Sequence, residues 1–223
     1  MKKIYLLIII TVLVGSDILI GQSTNFKVGI FNPATKSDLW DLNRENLYFS
    51  KKDMQDFFYG IEYEHFIGRN VSFAVELNSY EKTLNSEYKD YEHNDNTPIY
   101  QSISLSISGI EANIKVYPIG HRKILNPYFS IGAGVYYWEY EQWGEFIDFT
   151  TGEISDGYAN TEAFTPGFNI KAGIVFRFKK YMGVSFEVRY LYLKGRLSSL
   201  FEGFEKLDLR GRSLSLGINI FFN

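Results

Sequence analysis

The chain has 223 residues, of which 45% are hydrophobic and 17% aromatic, with a formal net charge of −3. That slightly acidic balance argues against nucleic acid as a partner, which needs a basic patch or stripe. There is no cysteine, so disulfides and a cysteine-linked lipid anchor are excluded.

The chain opens with Lys2 and Lys3, followed by an apolar run from Ile4 to Val14 and small residues at Gly15, Ser16 and Gly21. This pattern predicts a secretory signal peptide over 1–21, cleaved after Gly21 or alternatively after Ser16. Asp17 interrupts the run, which is short for the roughly 20 residues of a membrane helix. Residues 22–223 then form one domain.

From there, segments of about ten residues alternate between apolar and polar or small positions. A period of two is the signature of a strand with two different faces. The first segment is Asn25 to Asn32, with Phe26, Val28 and Ile30 on one face and Lys27 on the other. The second is Asp56 to His65, with Phe57, Tyr59, Ile61 and Tyr63 opposed to Glu62 and Glu64. The third, Val71 to Tyr80, sets Val71, Phe73, Val75 and Leu77 against Glu76. The fourth, Gln101 to Tyr117, changes phase between Ile107 and Ile110, and a one-residue bulge at Ser108-Gly109 is expected to restore its register. The fifth is Tyr128 to Trp138, the sixth Gly167 to Phe178 and the seventh Gly183 to Tyr192. The eighth closes the chain from Ser213 to Phe222 without a break in alternation.

The connections alternate in character. The second, fourth and sixth are short. The first (Pro33 to Gln55), third (Glu81 to Tyr100), fifth (Glu139 to Pro166) and seventh (Leu193 to Leu209) are long and polar. Eight amphipathic segments of this length predict an all-β fold, an eight-stranded antiparallel up-and-down transmembrane β-barrel. In lipid only a closed barrel satisfies every backbone group of a strand. Short turns then face the periplasm with both termini, and the four long loops face outside. A soluble lipocalin-like barrel is disfavoured, because it needs polar outer faces.

The inward positions carry Lys27, Glu62, Glu64, Glu76, Glu111, Lys115, Lys171, Arg177, Glu187 and Arg189. Acids and bases balance, and a barrel of eight strands is about wide enough for side chains to fill it. A self-neutralised, filled lumen is therefore expected over a conducting pore. Inward Gly29, Gly60, Gly132, Gly134, Gly173 and Gly217 are expected to make room for Tyr128, Tyr136, Arg177 and Arg189.

Chemistry has little to stand on. His65, His93 and His121 form no compact Ser/His/acid set in the sequence, so no catalytic residue, cofactor or metal is assigned. The stretch from Glu139 to Ile170 has no Lys or Arg, and it carries Glu141, Glu145, Asp148, Glu153, Asp156 and Glu162. These are either solvated charge or hard oxygen ligands for a divalent cation. The loop aromatics Trp40, Tyr48, Phe49, Trp143, Phe146 and Phe149 are either contact anchors or loop-to-loop packing.

The run Asn126-Pro127-Tyr128-Phe129-Ser130-Ile131-Gly132-Ala133-Gly134-Val135-Tyr136, the eight-strand rhythm and the closing strand together resemble the small outer-membrane β-barrel proteins of the OmpA transmembrane-domain and OmpX-like superfamily. Ser215-x-Gly217-x-x-Ile220-x-Phe222 is similar to the C-terminal signal read by the barrel-assembly machinery, except that the chain ends in Asn223. The resemblance implies a bacterial outer membrane, with lipid, lipopolysaccharide and the assembly machinery as partners. It implies a non-enzymatic structural or adhesin-like role through the four long loops, with an extracellular ligand unknown. A narrow porin-like channel and a lipid-modifying enzyme are the alternatives.

Overall fold

The computed structural model describes residues 22–222, apart from 202 and 205. The expected signal peptide, 1–21, lies outside the described residues. The barrel strands are β1 (Gln22–Pro33), β2 (Asp56–Phe66), β3 (Val71–Glu92), β4 (Pro98–Val116), β5 (Leu125–Ile147), β6 (Ile154–Lys179), β7 (Met182–Tyr192) and β10 (Gly211–Phe222). They form one closed antiparallel ring, and β10 closes it against β1 from Gln22↔Phe222 to Pro33↔Gly211. The eight-stranded up-and-down barrel expected from the alternation is the observed fold.

Strand length divides the ring into two halves. β1, β2, β7 and β10 have 11 or 12 residues, about what a tilted strand needs to cross a bilayer. β3, β4, β5 and β6 have 22, 19, 23 and 26 residues. The excess of about ten residues amounts to roughly 30 Å of further strand. The expectation of long loops at Glu81–Tyr100 and Glu139–Pro166 is therefore corrected. Most of those residues continue the ladder, and only 93–97 and 148–153 connect the strands.

The expected bulge at Ser108-Gly109 is also absent from the β3–β4 ladder. That ladder runs unbroken through Leu77↔Ile110, Asn78↔Gly109, Ser79↔Ser108 and Tyr80↔Ile107. The side chains explain the change of phase. Ile103, Leu105 and Ile107 point inward with 0–3% exposure, whereas Ile110 and Ile114 point outward with 49% and 53%. The strand keeps its period of two while the apolar face changes sides.

That inversion runs across the long strands. Up to the row Ser79, Ser108, Tyr137 and Phe164 the exterior is an apolar belt that includes Phe129, Ile131 and Leu216. The next row outward is Glu81, Ser106, Glu139 and Glu162, followed by Thr83, Ser104, Glu141 and Asn160. Below this boundary the barrel is apolar outside and charged inside. Above it the barrel is polar outside, and its interior holds Tyr80, Ile103, Leu105, Ile107, Trp138 and Tyr140.

The first long connection supplies a lid, helix α1 (Asp38–Asn46). Asp38 and Asp41 lie in its first turn and Arg44 in its last, matching the helix dipole. Leu39, Trp40 and Asn43 face the barrel. Trp40 packs edge-on against Tyr140 at 5.3 Å between ring centroids and donates Nε1–H to the Asp208 carbonyl at 3.3 Å. The seventh connection folds into the hairpin β8 (Lys194–Arg196) and β9 (Lys206–Asp208), with a 3-10 turn at Ser199–Phe201 between them. Its Leu197, Phe201, Leu207 and Leu209 join the same core.

Candidate functional site

The interior of the membrane-length half is a connected charge network. Lys27 from β1 donates to Glu62 at 3.1 Å, to Glu76 at 2.8 Å and to both oxygens of Glu187 at 3.0 Å. Lys115 bridges Glu62 and Glu64. Lys171 reaches Glu76 at 2.6 Å and Glu111 at 2.9 Å, and Arg189 pairs with Glu111. Phenols complete the acceptors: Tyr128 donates to Glu187 at 2.6 Å, Tyr136 to Glu111 at 2.7 Å and Tyr117 to Glu64 at 2.6 Å. All nine ionisable residues are buried.

The register explains why the cations are needed. Glu62, Glu76 and Glu111 stand directly opposite one another on β2, β3 and β4. Like charges in such positions destabilise a sheet. Lys27 and Lys171 come from β1 and β6 and lie between these carboxylates, so ion pairs tie together strands that share no backbone ladder.

Nine of the ten predicted lumen residues join this network, and Arg177 does not. Its guanidinium lies over the Phe221 ring at 3.9 Å and donates to the Lys180 carbonyl at 2.8 Å, near the short-turn end. The expected balance of five against five is corrected accordingly. Five carboxylates share four cations, and Oε1 of Glu76 has no partner among the described residues. The glycine expectation changes as well. Tyr128 does face Gly173, where an added Cβ would come within 2.5 Å of its hydroxyl. Tyr136 instead lies between Gly109 and Gly167, neither of which was in the predicted set.

The short-turn end is closed by Phe66, Tyr117, Tyr128, Val175 and Phe221. His121 stacks on Phe66 at 4.0 Å between centroids, and its Nδ1 lies 2.9 Å from the Arg69 carbonyl. Burial holds its imidazole below the ordinary histidine value. His93 lies elsewhere, 2.8 Å from Glu145 in the extension, and His65 sits on β2. The three histidines are not brought together. Among the described residues no group of three or more His, Asp or Glu is arranged to hold a metal.

The four residues of the closing signature lie on β10. Ser215 and Gly217 face the lumen, while Ile220 and Phe222 face outward in the apolar belt. Gly217 faces Asn25 so closely that a Cβ there would overlap the amide.

At the long-loop end the charge gives way to carboxamides. Asn43 from α1 donates to the Tyr140 hydroxyl at 2.7 Å, and Gln142 donates to Tyr140 at 2.8 Å and to Asn43 at 3.0 Å. Burial pushes the Tyr140 phenol well above its usual range, so it stays neutral. Gln101 lies beside this group at the base of a cleft of about 180 Å³. Sequence reasoning missed these residues because they fell inside presumed loops. The available signal was the alternation Trp138-Glu139-Tyr140-Glu141-Gln142. Of the loop aromatics, Trp40 and Phe49 are buried in packing, while Tyr48 and Phe149 are exposed.

No protein-family profile matches the chain, and neither does any curated protein sequence. Among solved structures the chain is similar to the outer membrane protein OprG from Pseudomonas aeruginosa, at 12% identity over 91% of this chain and 96% of that one, with a TM-score of 0.57. It is also similar to Neisserial surface protein A, at 14% identity over 90% and 94% with a TM-score of 0.48. A major outer membrane protein from Thermus thermophilus gives 12% identity over 89% and 99% with a TM-score of 0.48. The likeness to OprG carries the fold: the chain has the architecture of the small outer-membrane β-barrels.

Proposed function

We propose that the chain is an integral β-barrel of a bacterial outer membrane, with its termini in the periplasm. Its projecting half serves as a surface-interaction module, without catalysing a reaction or conducting solutes. The observation that carries this reading is the inversion of faces on β3 to β6. An apolar exterior belongs in lipid, and a polar exterior around an apolar core belongs in water. A single ladder that changes from one to the other at the row Ser79, Ser108, Tyr137 and Phe164 is suited to standing in a membrane and reaching beyond it.

The interior supports a closed module. From the short-turn end outward it holds an aromatic floor, the ion network and the apolar core under α1. A pore needs a continuous wet path, and each of these levels is occupied by buried side chains. Lipid and lipopolysaccharide would contact the belt, and the assembly machinery would read Ser215, Gly217, Ile220 and Phe222 on β10.

Two measurements test the proposal. Protease treatment of intact cells should cut within 93–97, 148–153 or 198–206 and spare the turns near Gly68, Gly120 and Lys180; the opposite pattern overturns the orientation. Refolded protein in planar bilayers should give no discrete conductance steps, and reproducible steps would replace the surface-module reading with a pore.

A further inference from the structure

The cleft at the long-loop end has a composition that selects a ligand class. Its base is formed by the carboxamides of Asn43, Gln101 and Gln142, with 4–6% exposure each. Apart from Asn46 its walls are aliphatic and aromatic, and its rim holds Leu42, Phe149 and Leu200, which are 38%, 51% and 63% exposed. Among the described residues no charged side chain lines it.

The base has unused hydrogen-bonding capacity. Gln142 spends its Nε2 on Tyr140 and Asn43. Its Oε1 and the Gln101 amide atoms are not among the polar atoms sealed from solvent without a partner, so they are open to a hydrogen bond from the cleft. A carboxamide facing a cleft offers both a donor and an acceptor to a ligand. Gln101 points inward from β4 into the cleft, in phase with Ile103 below it.

Three ligand classes can be compared on these grounds. A hydrocarbon would satisfy the walls but leave Gln101 and the Gln142 carbonyl dry. An anion meets no cation in the lining, and the neighbouring connections carry Glu92, Asp95, Asp148 and Glu153. A neutral ring with one apolar face and several hydroxyls satisfies both walls and base. The volume fits a ligand of this size. About 180 Å³ is roughly six water volumes at about 30 Å³ each, and below the ~300 Å³ at which pockets for drug-sized ligands begin.

We propose that this cleft is a binding site for one neutral monosaccharide unit, held by the Asn43, Gln101 and Gln142 carboxamides against the apolar walls. The inference deepens the surface-module reading and rests on it only for the direction in which the cleft faces.

The test is a titration of isotopically labelled protein, refolded in detergent micelles, with methyl galactoside, methyl glucoside and methyl mannoside in turn. The readout is the side-chain amide resonances of Gln101, Gln142 and Asn43. At least one hexoside should give saturable shifts in the millimolar range, as expected for so small a site. Gln101→Leu should weaken that binding by about tenfold or more, because a site built around a polar contact discriminates strongly when the contact is removed. Leu200→Ser alters only the exposed rim and should weaken it severalfold, which covers the case in which Gln101→Leu fails to fold. Glucuronate and indole should bind more weakly than the best hexoside. Absence of saturable shifts with every hexoside up to about 100 mM, undiminished binding in both variants, or preferential binding of indole overturns the inference. Intact cells probed with a fluorescent polymer bearing the best hexoside test the orientation separately. Binding by purified protein but not by cells refutes the outward-facing reading and leaves the site standing.

Discussion

Replacing Lys27 by Met should expose the energetics of the lumen. Lys27 contacts Glu62, Glu76 and Glu187 at 2.8–3.1 Å, and all four side chains are essentially inaccessible. Methionine keeps the length of the side chain and removes the charge. Deleting one partner of a buried pair strands the other, at about 3–5 kcal/mol. Here three carboxylates lose a shared cation, so the upper part of that range is expected. The charge count makes the converse substitution milder than Lys27→Met. Five carboxylates share four cations, and Glu76 uses only its Oε2, for Lys27 and Lys171. In Glu76→Gln the carbonyl oxygen can serve both lysines, while the amide nitrogen takes the position that now has no partner. That change leaves the amide hydrogens without an acceptor, at about 1–3 kcal/mol, and should cost less than Lys27→Met. Urea unfolding of protein refolded into phospholipid vesicles, followed by tryptophan fluorescence, measures both. Equal losses in the two variants, or a loss below about 1 kcal/mol for Lys27→Met, would mean that the network is solvated and contributes as weakly as surface pairs do.

Other perturbations address the two ends. An added Cβ at Gly195 overlaps the Trp138 indole, so Gly195→Val should cost about 1–3 kcal/mol through overpacking; the loss should appear as faster amide exchange at 136–142 and 193–209, with the spanning strands unchanged. Trp40 is fully buried under α1, so Trp40→Ala should cost about 3–5 kcal/mol and open 34–55 to protease, and unchanged protection would show that α1 is not held by this contact. His121 should titrate below 6.5, because burial lowers its folded-state value. A depressed base contributes stability that is full above the unfolded value and is lost as pH falls through the folded one. The floor should therefore loosen under acid in the wild type, and His121→Phe should flatten that dependence. A midpoint at or above 6.5 for His121 in a nuclear magnetic resonance titration would refute the burial argument.

The apolar-belted part of the fold was legible because a belt facing lipid would follow a simple rule. Outward positions within the belt, such as Phe26, Ile131 and Phe222, are apolar, so a period of two marks the strands and its phase marks the lumen. Lys27, Glu62, Glu76, Glu111, Lys115, Lys171 and Glu187 followed from parity alone. Arg177 shows where parity stops helping. It shares the inward parity of Lys171 and Gly173, yet it lies near the strand end, where Phe221 and the Lys180 carbonyl are closer than any lumen carboxylate. The extension was not legible for a different reason. Beyond the belt the rule reverses, and a reader who holds the phase fixed sees a bulge at Ser108-Gly109 and loops beyond Glu81 and Glu139. Ile103, Leu105 and Ile107 have the same parity as Glu111, Asn113 and Lys115, and that shared parity was the available sign of a continuous strand.

The unequal strand lengths also account for the first and seventh connections. Only β3 to β6 continue outward, so above the belt they form an open four-stranded sheet whose outer edges, β3 and β6, lack their neighbours. An open edge presents unpaired backbone groups and invites aggregation. The first connection covers one edge: Leu47 bridges to Tyr88, and the Tyr48 amide donates to the Glu87 carbonyl at 2.9 Å. The seventh covers the other, with the Ser198 amide donating to Thr161 Oγ1 at 3.1 Å and the Ser198 hydroxyl to the Asn160 carbonyl at 3.3 Å. Both connections also contribute apolar side chains to the core, Trp40 and Phe49 from one and Phe201 and Leu207 from the other. They thus act as walls that replace the missing strands. Because they stand in for strands, the cleft above Gln101 and Gln142 lies between the two connections, with Leu39 and Leu47 from one and Phe201 and Phe204 from the other in its lining.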